Sequence, residues 1–339
     1  MQKRLFEVSI LRPLAIFLVV FYHSFAIYNG KWILPNGVAS SLVYNWVADF
    51  SYSFMLPLFV LMSGYLFSFQ LNEKKVTKSL AQLLKNKVQR LLMPCYIFGV
   101  IYILIVQRPE SVNISHLFLV LIGGVGHLWF LPMLFWCFFA SYLFHICIKM
   151  TSWSIIGVCL ILYIIGLKSI PFSIGYACWY LIFFEIGYCL RCNMSIVQKK
   201  LKLYSFCSGI LYILCFVVVN YLLDNYEQLF GISKYIHFLL YKIGTFSFGL
   251  FGCFFVYGIS LLITQKCEKI NFYMGSLDSM CFGVYLYHQF ILKILYYDTN
   301  IIVINTPFLP WCCLFITIVG SLTLTYLTRL SKIGRYIIG

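Results

Sequence analysis

The stretch Leu11–His23, LRPLAIFLVVFYH, holds an arginine and a histidine near the two ends of an otherwise apolar run. Similar apolar runs recur to the end of the chain, and 62% of its 339 residues are hydrophobic while only 10% are charged. A soluble domain carries about a quarter charged residues, because its surface must face water. The composition therefore predicts that lipid surrounds most of the chain and leaves no room for a sizeable soluble domain.

Ten apolar stretches can be assigned as membrane-spanning helices, since each crossing needs roughly 20 residues. They fall near 10–29, 47–70, 91–107, 127–148, 153–168, 173–192, 203–223, 239–264, 278–298 and 308–328. We therefore predict an all-α, polytopic membrane protein with about ten transmembrane helices in a single domain, 1–339, without a soluble extension. The basic segment 72–90 is predicted to form an amphipathic helix at the cytoplasmic surface.

The distribution of positive charge supports this assignment and predicts its orientation. If the ten spans alternate, 19 of the 25 lysines and arginines fall on the side of the N-terminus. The remaining six are Lys31, Arg108, Lys168, Lys234, Lys242 and Lys293. Because positive residues concentrate in cytoplasmic loops, both termini are predicted to be cytoplasmic. Membrane lipids are the predicted neighbours of the spans. The net charge of +15 lies in short clusters between apolar runs, so we do not expect a nucleic-acid partner.

The 14 cysteines lie mostly within apolar runs, where cysteine behaves as a small hydrophobic residue. Cys189 and Cys192 form a CxxC pair, but no second CxxC or nearby histidine accompanies it. The sequence therefore predicts no metal site.

Arg12 and His23 are the first candidate functional residues. Eleven helical residues bring a side chain back to within about 20° of the same face, and they separate the two along the axis by about 16 Å. Ionisable groups inside a membrane are costly unless they line a cavity or have a partner. Two interpretations stay open: the residues share a functional cavity, or Arg12 reaches lipid headgroups while His23 makes one interhelical hydrogen bond.

A second candidate pair precedes the third span. Lys87 and Arg90 lie one helical turn apart in KVQRLLMPCY (Lys87–Tyr96), where they are placed to bind phosphate at the cytoplasmic face. Ordinary topogenic residues would give the same pattern. In the second span, the small pair Ser63 and Gly64 permits close helix approach.

Four further residues are candidate substrate contacts. His127 and Trp129 open the fourth span, His288 lies in the middle of the ninth, and Glu185 is a carboxylate deep in the sixth. Such a buried carboxylate is a functional candidate, although a structural pair with a basic neighbour is the alternative.

The chain resembles the acyltransferase 3 family of integral-membrane O-acyltransferases, which modify bacterial surface glycans. The resemblance rests on five features in the family's order, which span essentially the whole chain. They are the spacing of Arg12 and His23, FVLMSGYLF (Phe59–Phe67), KVQRLLMPCY, HLWFLPMLF (His127–Phe135) and YLYH (Tyr285–His288).

The resemblance implies that acetyl-CoA, or another acyl-CoA, donates an acyl group to a hydroxyl of a surface polysaccharide or lipid-linked saccharide at the bacterial inner membrane. His23 matches the family's catalytic histidine and Arg12 its partner, while Lys87 and Arg90 match the basic pair that engages the donor's phosphates. Lys87 stands where arginine is more usual, which keeps the charge but loses the bidentate fork. An imidazole suits proton abstraction near neutral pH, although direct attack that forms an acyl-imidazole stays open.

A different class of protein would also account for buried ionisable residues. A transporter or flippase for a saccharide or a small anionic solute could use Arg12, Glu185 and the histidines as its pathway. Many such proteins are built from inverted repeats with broken helices, and the sequence shows no internal repeat. The Arg12–His23 spacing favours the enzyme.

Overall fold

The computed structural model describes residues 5–74, 79–109, 115, 118, 120, 123–166, 170–225, 234–266, 268–299 and 307–338. Within these residues the regular elements are helices, and no strand occurs. The first six helices are α1 Phe6–Phe25, α2 Leu42–Glu73, α3 Leu80–Gln107, α4 Gly126–Ile148, α5 Ser152–Ile165 and α6 Ile174–Cys192. The next six are α7 Met194–Lys199, α8 Leu201–Asp224, α9 Lys234–Lys266, α10 Glu268–Asp298, α11 Leu309–Leu330 and α12 Lys332–Ile338.

The predicted class, an all-α polytopic membrane protein, is confirmed. Within the described residues, seven helices are long and apolar enough to cross a membrane. These are α1, α2, α3, α4, α8, α9 and α11, while α5 is a shorter apolar helix. Each of the ten predicted spans coincides with a helix, but the count of ten and the side on which the termini lie stay predictions.

Several helices differ in length from the predicted spans. Helix α1 ends at Phe25, where the predicted span ran to residue 29, and α10 begins at Glu268, ten residues before the predicted 278. Hydropathy reports only the apolar part of a helix, whereas the hydrogen-bonded turns continue into polar sequence. The predicted amphipathic segment 72–90 is helical from Leu80 and continues without a break into the third span; its position at the membrane surface stays a prediction.

Helix α1 lies at the centre of the bundle, in contact with α2, α9, α10 and α11. Its contacts with α10 follow a parallel order: Arg12 is paired with Asp278, and the backbone carbonyl of Ser24 accepts a hydrogen bond from Tyr296. Residue numbers rise together along the two helices, so α1 and α10 run in the same direction. This parallel pair forms one side of the cavity described below.

Helices α2 and α6 approach each other backbone to backbone. A Cβ atom at Gly64 would collide with the carbonyl of Phe184, and one at Gly187 would collide with the carbonyl of Leu61. The two glycines therefore set the distance between the helices, as small residues do in membrane bundles. This is the close helix approach that the small residues Ser63 and Gly64 of the predicted second span permit.

Candidate functional site

A cavity of about 1160 Å³ lies among α1, α2, α3, α4, α10 and α12. Five of the eight predicted site residues line it: Arg12, His23, Arg90, His127 and Trp129. Its charged lining residues are Arg12, Lys31, Arg90, Asp278, Lys293 and Arg335. Arg12 and His23, eleven residues apart on α1, thus share one cavity wall, as their helical spacing predicts.

At one end of the cavity, which we call the Arg12 end, Arg12 donates a hydrogen bond to Asp278. Its Nη1 lies 3.2 Å from the Asp278 Oδ1, and the two side chains are 40% and 20% exposed. The ion pair fixes the guanidinium while leaving part of it open to the cavity. Since the pair is exposed, it contributes little to stability and acts mainly on orientation.

His23 lies further along α1 and is held by its own helix. Its Nδ1 is 2.8 Å from the carbonyl oxygen of Val19. A carbonyl only accepts hydrogen bonds, so Nδ1 of the neutral ring carries the proton and Nε2 keeps its lone pair. Within the described residues, no side chain hydrogen-bonds that Nε2. The geometry thus leaves one basic nitrogen of a cavity-lining imidazole free for a ligand.

His288, on α10, contacts the same ring nitrogen of His23 as the Val19 carbonyl does. Its Nδ1 donates to the carbonyl of Tyr285 at 2.7 Å, which leaves its Nε2 as an acceptor 3.3 Å from the His23 Nδ1. The two ring centroids are 5.0 Å apart, and His288 is fully buried. His288 can therefore share the positive charge that His23 would gain on taking up a proton.

His127 continues the row of imidazoles, with its ring centroid 4.7 Å from that of His288. Its backbone N–H and its Nδ1 both donate to the Gln289 side-chain oxygen, at 3.1 and 2.9 Å. Its Nε2 is buried and has no hydrogen-bond partner in the described part of the chain. Trp129, two residues on, packs against Tyr176 with ring centroids 4.4 Å apart and forms an aromatic wall of the cavity.

The structure separates the predicted phosphate pair. Arg90 is exposed and lines the cavity, whereas the Lys87 Nζ lies 3.3 Å from the centroid of the Phe138 ring and Lys87 is not among the lining residues. The turn Val88–Leu92 is π-helical, and this wider turn changes the angle between the two side chains. Arg335 of α12, which packs against α3, joins Arg90 at the Arg12 end.

Glu185 lies away from the cavity. Its Oε2 is 2.8 Å from the His145 Nε2, and the ring of Tyr188 stacks on His145 at 3.8 Å. Glu185 is fully buried, and its Oε1 has no partner within the described residues. The arrangement is the structural pair that the sequence left as the alternative.

Sequence reasoning missed several residues of the site. Asp278 coincides with the first residue of a predicted span and therefore looked like a boundary residue, although it lies ten residues inside α10. Gln289 follows His288 directly and could have been found by asking what holds the histidines. The sequence identifies Lys293 and Arg335 only as charges that set orientation, because nothing local in sequence marks which basic residues face a cavity.

The described residues contain no group of three or more histidine, cysteine, aspartate or glutamate side chains that could hold a metal ion. The histidine row is instead held by backbone carbonyls and by Gln289.

Comparison with known proteins gives one match. A family model for the acyltransferase 3 family, described as an acyltransferase domain, matches residues 6–329. The match covers nearly the whole chain, including every residue of the cavity named above except Arg335. Neither the curated proteins nor the solved structures gave a match.

Proposed function

Because the chain belongs to the acyltransferase 3 family, we propose that it moves an acetyl group from acetyl-CoA to a hydroxyl of a surface polysaccharide or lipid-linked saccharide. The chain is a multi-pass membrane acyltransferase; the donor, the acceptor and a bacterial inner-membrane location belong to the proposal. The observation that carries it is the single cavity shared by Arg12 and His23. Arg12 and His23 lie about 16 Å apart along α1. Phosphate binding near Arg12 and acyl transfer near His23 fit that separation.

The Arg12 end suits the donor's phosphates. Arg90 and Arg335 are exposed, and Arg12 is held beside them by Asp278. Guanidinium groups bind phosphate through paired N–H donors, which gives geometric specificity as well as charge. The acyl arm of the donor would then run along α1, over about 16 Å, to His23.

His23 acts as the general base in this proposal. Its Nε2 takes the proton of the acceptor hydroxyl as that oxygen attacks the thioester carbonyl. The carbon–sulfur bond then breaks, the new ester bond remains, and the proton passes from His23 to the departing thiolate of coenzyme A. His288 shares the transient positive charge through the His23 Nδ1–H. Direct attack by His23, with an acyl-imidazole intermediate, uses the same atoms and stays an alternative.

The remaining predicted residues take supporting parts. His127 and Trp129 line the cavity beside the histidines, so we assign them to the walls around the reacting groups. Lys87 lies against Phe138, so in the proposal Arg90 makes the phosphate contact and Lys87 adds charge nearby. Glu185 pairs with His145 outside the cavity, and we give it no part in substrate binding.

The test is acetyl transfer by detergent-purified protein with labelled acetyl-CoA, without a membrane gradient. His23→Ala should lower the rate at least about 100-fold, because a positioned general base contributes that much or more. His237→Ala, which changes a histidine outside the cavity, is the matched control and should keep the full rate. Retained activity in His23→Ala contradicts the proposal. Donor consumption in detergent also separates the enzyme from a transporter, which would not break the thioester.

A further inference from the structure

Two of the positive charges that line the cavity lie away from the proposed phosphate site. Of its six charged lining residues in the described part of the chain, Asp278 alone is acidic, and it is already paired with Arg12. Arg12, Arg90 and Arg335 serve the donor's phosphates at the Arg12 end. Lys31 and Lys293 are left without a role in the proposed reaction.

These two lysines lie beyond His23, at what we call the His23 end. On α10, Lys293 follows His288 by five residues, which places it about 7.5 Å further along the helix and away from Asp278. Lys31 follows α1 on the same side, in the segment just after Phe25. The two lysines are therefore separated from the phosphate end by the histidines themselves.

Trp32 connects Lys293 to the proposed base. The Trp32 ring centroid is 5.6 Å from that of His23, and the Lys293 Nζ lies 3.9 Å from the Trp32 centroid. Trp32 and Lys293 both line the cavity. A sugar held against an indole face at this point would have its hydroxyls beside His23 and its substituents beside an ammonium group.

Lys293 has no acidic partner to neutralise it. Within the described residues, no carboxylate forms an ion pair with Lys293, and no oxygen atom accepts a hydrogen bond from its Nζ. The ammonium lies over the Trp32 and Tyr297 rings, 3.9 and 4.8 Å from their centroids. A half-buried charge without a hydrogen-bonding partner is costly, so such a group is a ready site for an anion.

Lys242 shows what a structural lysine looks like in the same protein. Its Nζ also lies 3.9 Å from a tryptophan centroid, that of Trp179. It donates a hydrogen bond of 2.8 Å to the carbonyl of Tyr163, and it lies outside the cavity. Lys242 is satisfied by the fold, whereas Lys293 has the same ring contact but faces the cavity without an acceptor.

We infer that the acceptor saccharide is anionic, with a carboxylate or phosphate group that binds Lys293 and Lys31 while a neighbouring sugar ring stacks on Trp32. This inference rests on the proposed function, because it names the substrate class of the same cavity. An acidic substituent bound here would orient the acceptor so that its hydroxyl meets the His23 Nε2. It would also disfavour neutral saccharides, which leave Lys293 unpaired.

The first test measures binding alone, without donor, by calorimetry on the full chain in lipid nanodiscs. The probes are a galacturonic acid tetrasaccharide, its carboxyl-reduced neutral counterpart and a ribitol phosphate tetramer. At least one acidic probe should bind about tenfold or more tightly than the neutral one, which corresponds to one good charge-assisted contact. The acidic probe that binds more tightly identifies the anionic group of the acceptor as a carboxylate or a phosphate.

The variants Lys293→Gln and Lys242→Gln form a matched pair, since each removes an ammonium group that lies 3.9 Å from the centroid of a tryptophan ring. Lys293→Gln should abolish the preference for the acidic probe, and Lys293→Arg should restore it, while Lys242→Gln should keep it. The inference is overturned if the acidic and neutral probes bind with equal affinity, or if neither acidic probe binds. It is also overturned if both glutamine variants lose the preference for the acidic probe equally.

Acetyl transfer to the same probes separates this inference from the proposed function. If the acidic probe binds through Lys293 but no acetyl group is transferred, the anion site stands and the proposed function fails. If transfer proceeds equally to acidic and neutral probes, the proposed function stands and the anion site fails. Where both hold, Lys293→Gln should raise the KM for the acidic acceptor about tenfold and leave the KM for acetyl-CoA unchanged.

Discussion

His288 supports the proposed base from a second helix, α10. Its Nε2 is 3.3 Å from the His23 Nδ1, and its own Nδ1 is fixed by the Tyr285 carbonyl. Replacement by leucine removes the acceptor and leaves the imidazolium of His23 with only the Val19 carbonyl. We expect His288→Leu to lower kcat about tenfold, the effect of losing roughly 1.4 kcal/mol from the transition state.

The same substitution should leave both KM values nearly unchanged, because the lost contact strengthens only when His23 is protonated. His288→Gln keeps a hydrogen-bond acceptor on the side chain and should retain more of the rate. Steady-state kinetics with varied donor and acceptor would measure this split. A rise in KM with unchanged kcat would place His288 in binding rather than in support of the base.

Arg90 and Lys87 allow a direct comparison of two basic residues three positions apart. Arg90 lines the cavity, whereas the Lys87 ammonium lies against the Phe138 ring. We expect Arg90→Ala to raise the KM for acetyl-CoA about tenfold, as loss of a charge-assisted phosphate contact would. Lys87→Met should raise it much less. Donor titrations at fixed acceptor concentration measure both, and an equal effect of the two variants would contradict the separation seen in the π-helical turn.

The candidate site was predictable from the sequence only where its residues lie on one helix. The shared face of Arg12 and His23 follows from helical periodicity, and it is confirmed as a shared cavity wall. The partner of Arg12 lies 266 residues away in sequence, at Asp278. No local pattern specifies such a pair, since it arises only when α1 and α10 pack side by side.

At the scale of the helices, Gly64 controls the contact between α2 and α6. Any Cβ atom there would meet the Phe184 carbonyl, which belongs to helix backbone and cannot move aside cheaply. We expect Gly64→Ala to destabilise the protein by about 1–3 kcal/mol, the usual cost of overpacking. Thermal unfolding of purified protein, followed by size-exclusion chromatography, would show it as a lower Tm.

Gly157 of α5 is the matched control, because a Cβ atom there would meet nothing within 4 Å. Gly157→Ala should leave the Tm unchanged or raise it slightly, since alanine favours a helix over glycine. An equal loss of stability in the two variants would show that the α2–α6 contact at Gly64 does not govern the effect.

The existence of the helices was more predictable than their ends or their internal geometry. All ten predicted spans coincide with helices because long apolar runs in lipid must satisfy their own backbone hydrogen bonds. The π-helical turn at Val88–Leu92 was not predictable, because its sequence, VQRLL, is compatible with an ordinary helix. That turn nevertheless decides which of Lys87 and Arg90 reaches the cavity.

Across the whole molecule, the direction of α10 constrains the topology. The pairings Arg12–Asp278, His23–His288 and Ser24–Tyr296 rise together, so α1 and α10 cross in the same direction. Counted with α1 as the first span, α10 must therefore be an odd-numbered span. If α5, α6 and α10 cross together with the seven helices named above, α10 is the ninth span, which satisfies this requirement. The predicted ten-span order is thus compatible with the parallel packing of α1 and α10, and the count of ten stays a prediction.

The distribution of positive charge predicts which side of the membrane each end of the cavity faces. Nineteen of the 25 positive residues, including Arg12, Arg90 and Arg335 at the Arg12 end, fall on the side predicted to be cytoplasmic. A green fluorescent protein fused after residue 339 should therefore fluoresce, and alkaline phosphatase at that position should be inactive. Alkaline phosphatase inserted after Gly37, between α1 and α2, should be active, because that loop lies on the opposite side with Lys31. The reverse pattern would place the Arg12 end outside, away from cytoplasmic acetyl-CoA, and would contradict the donor assignment together with the topology.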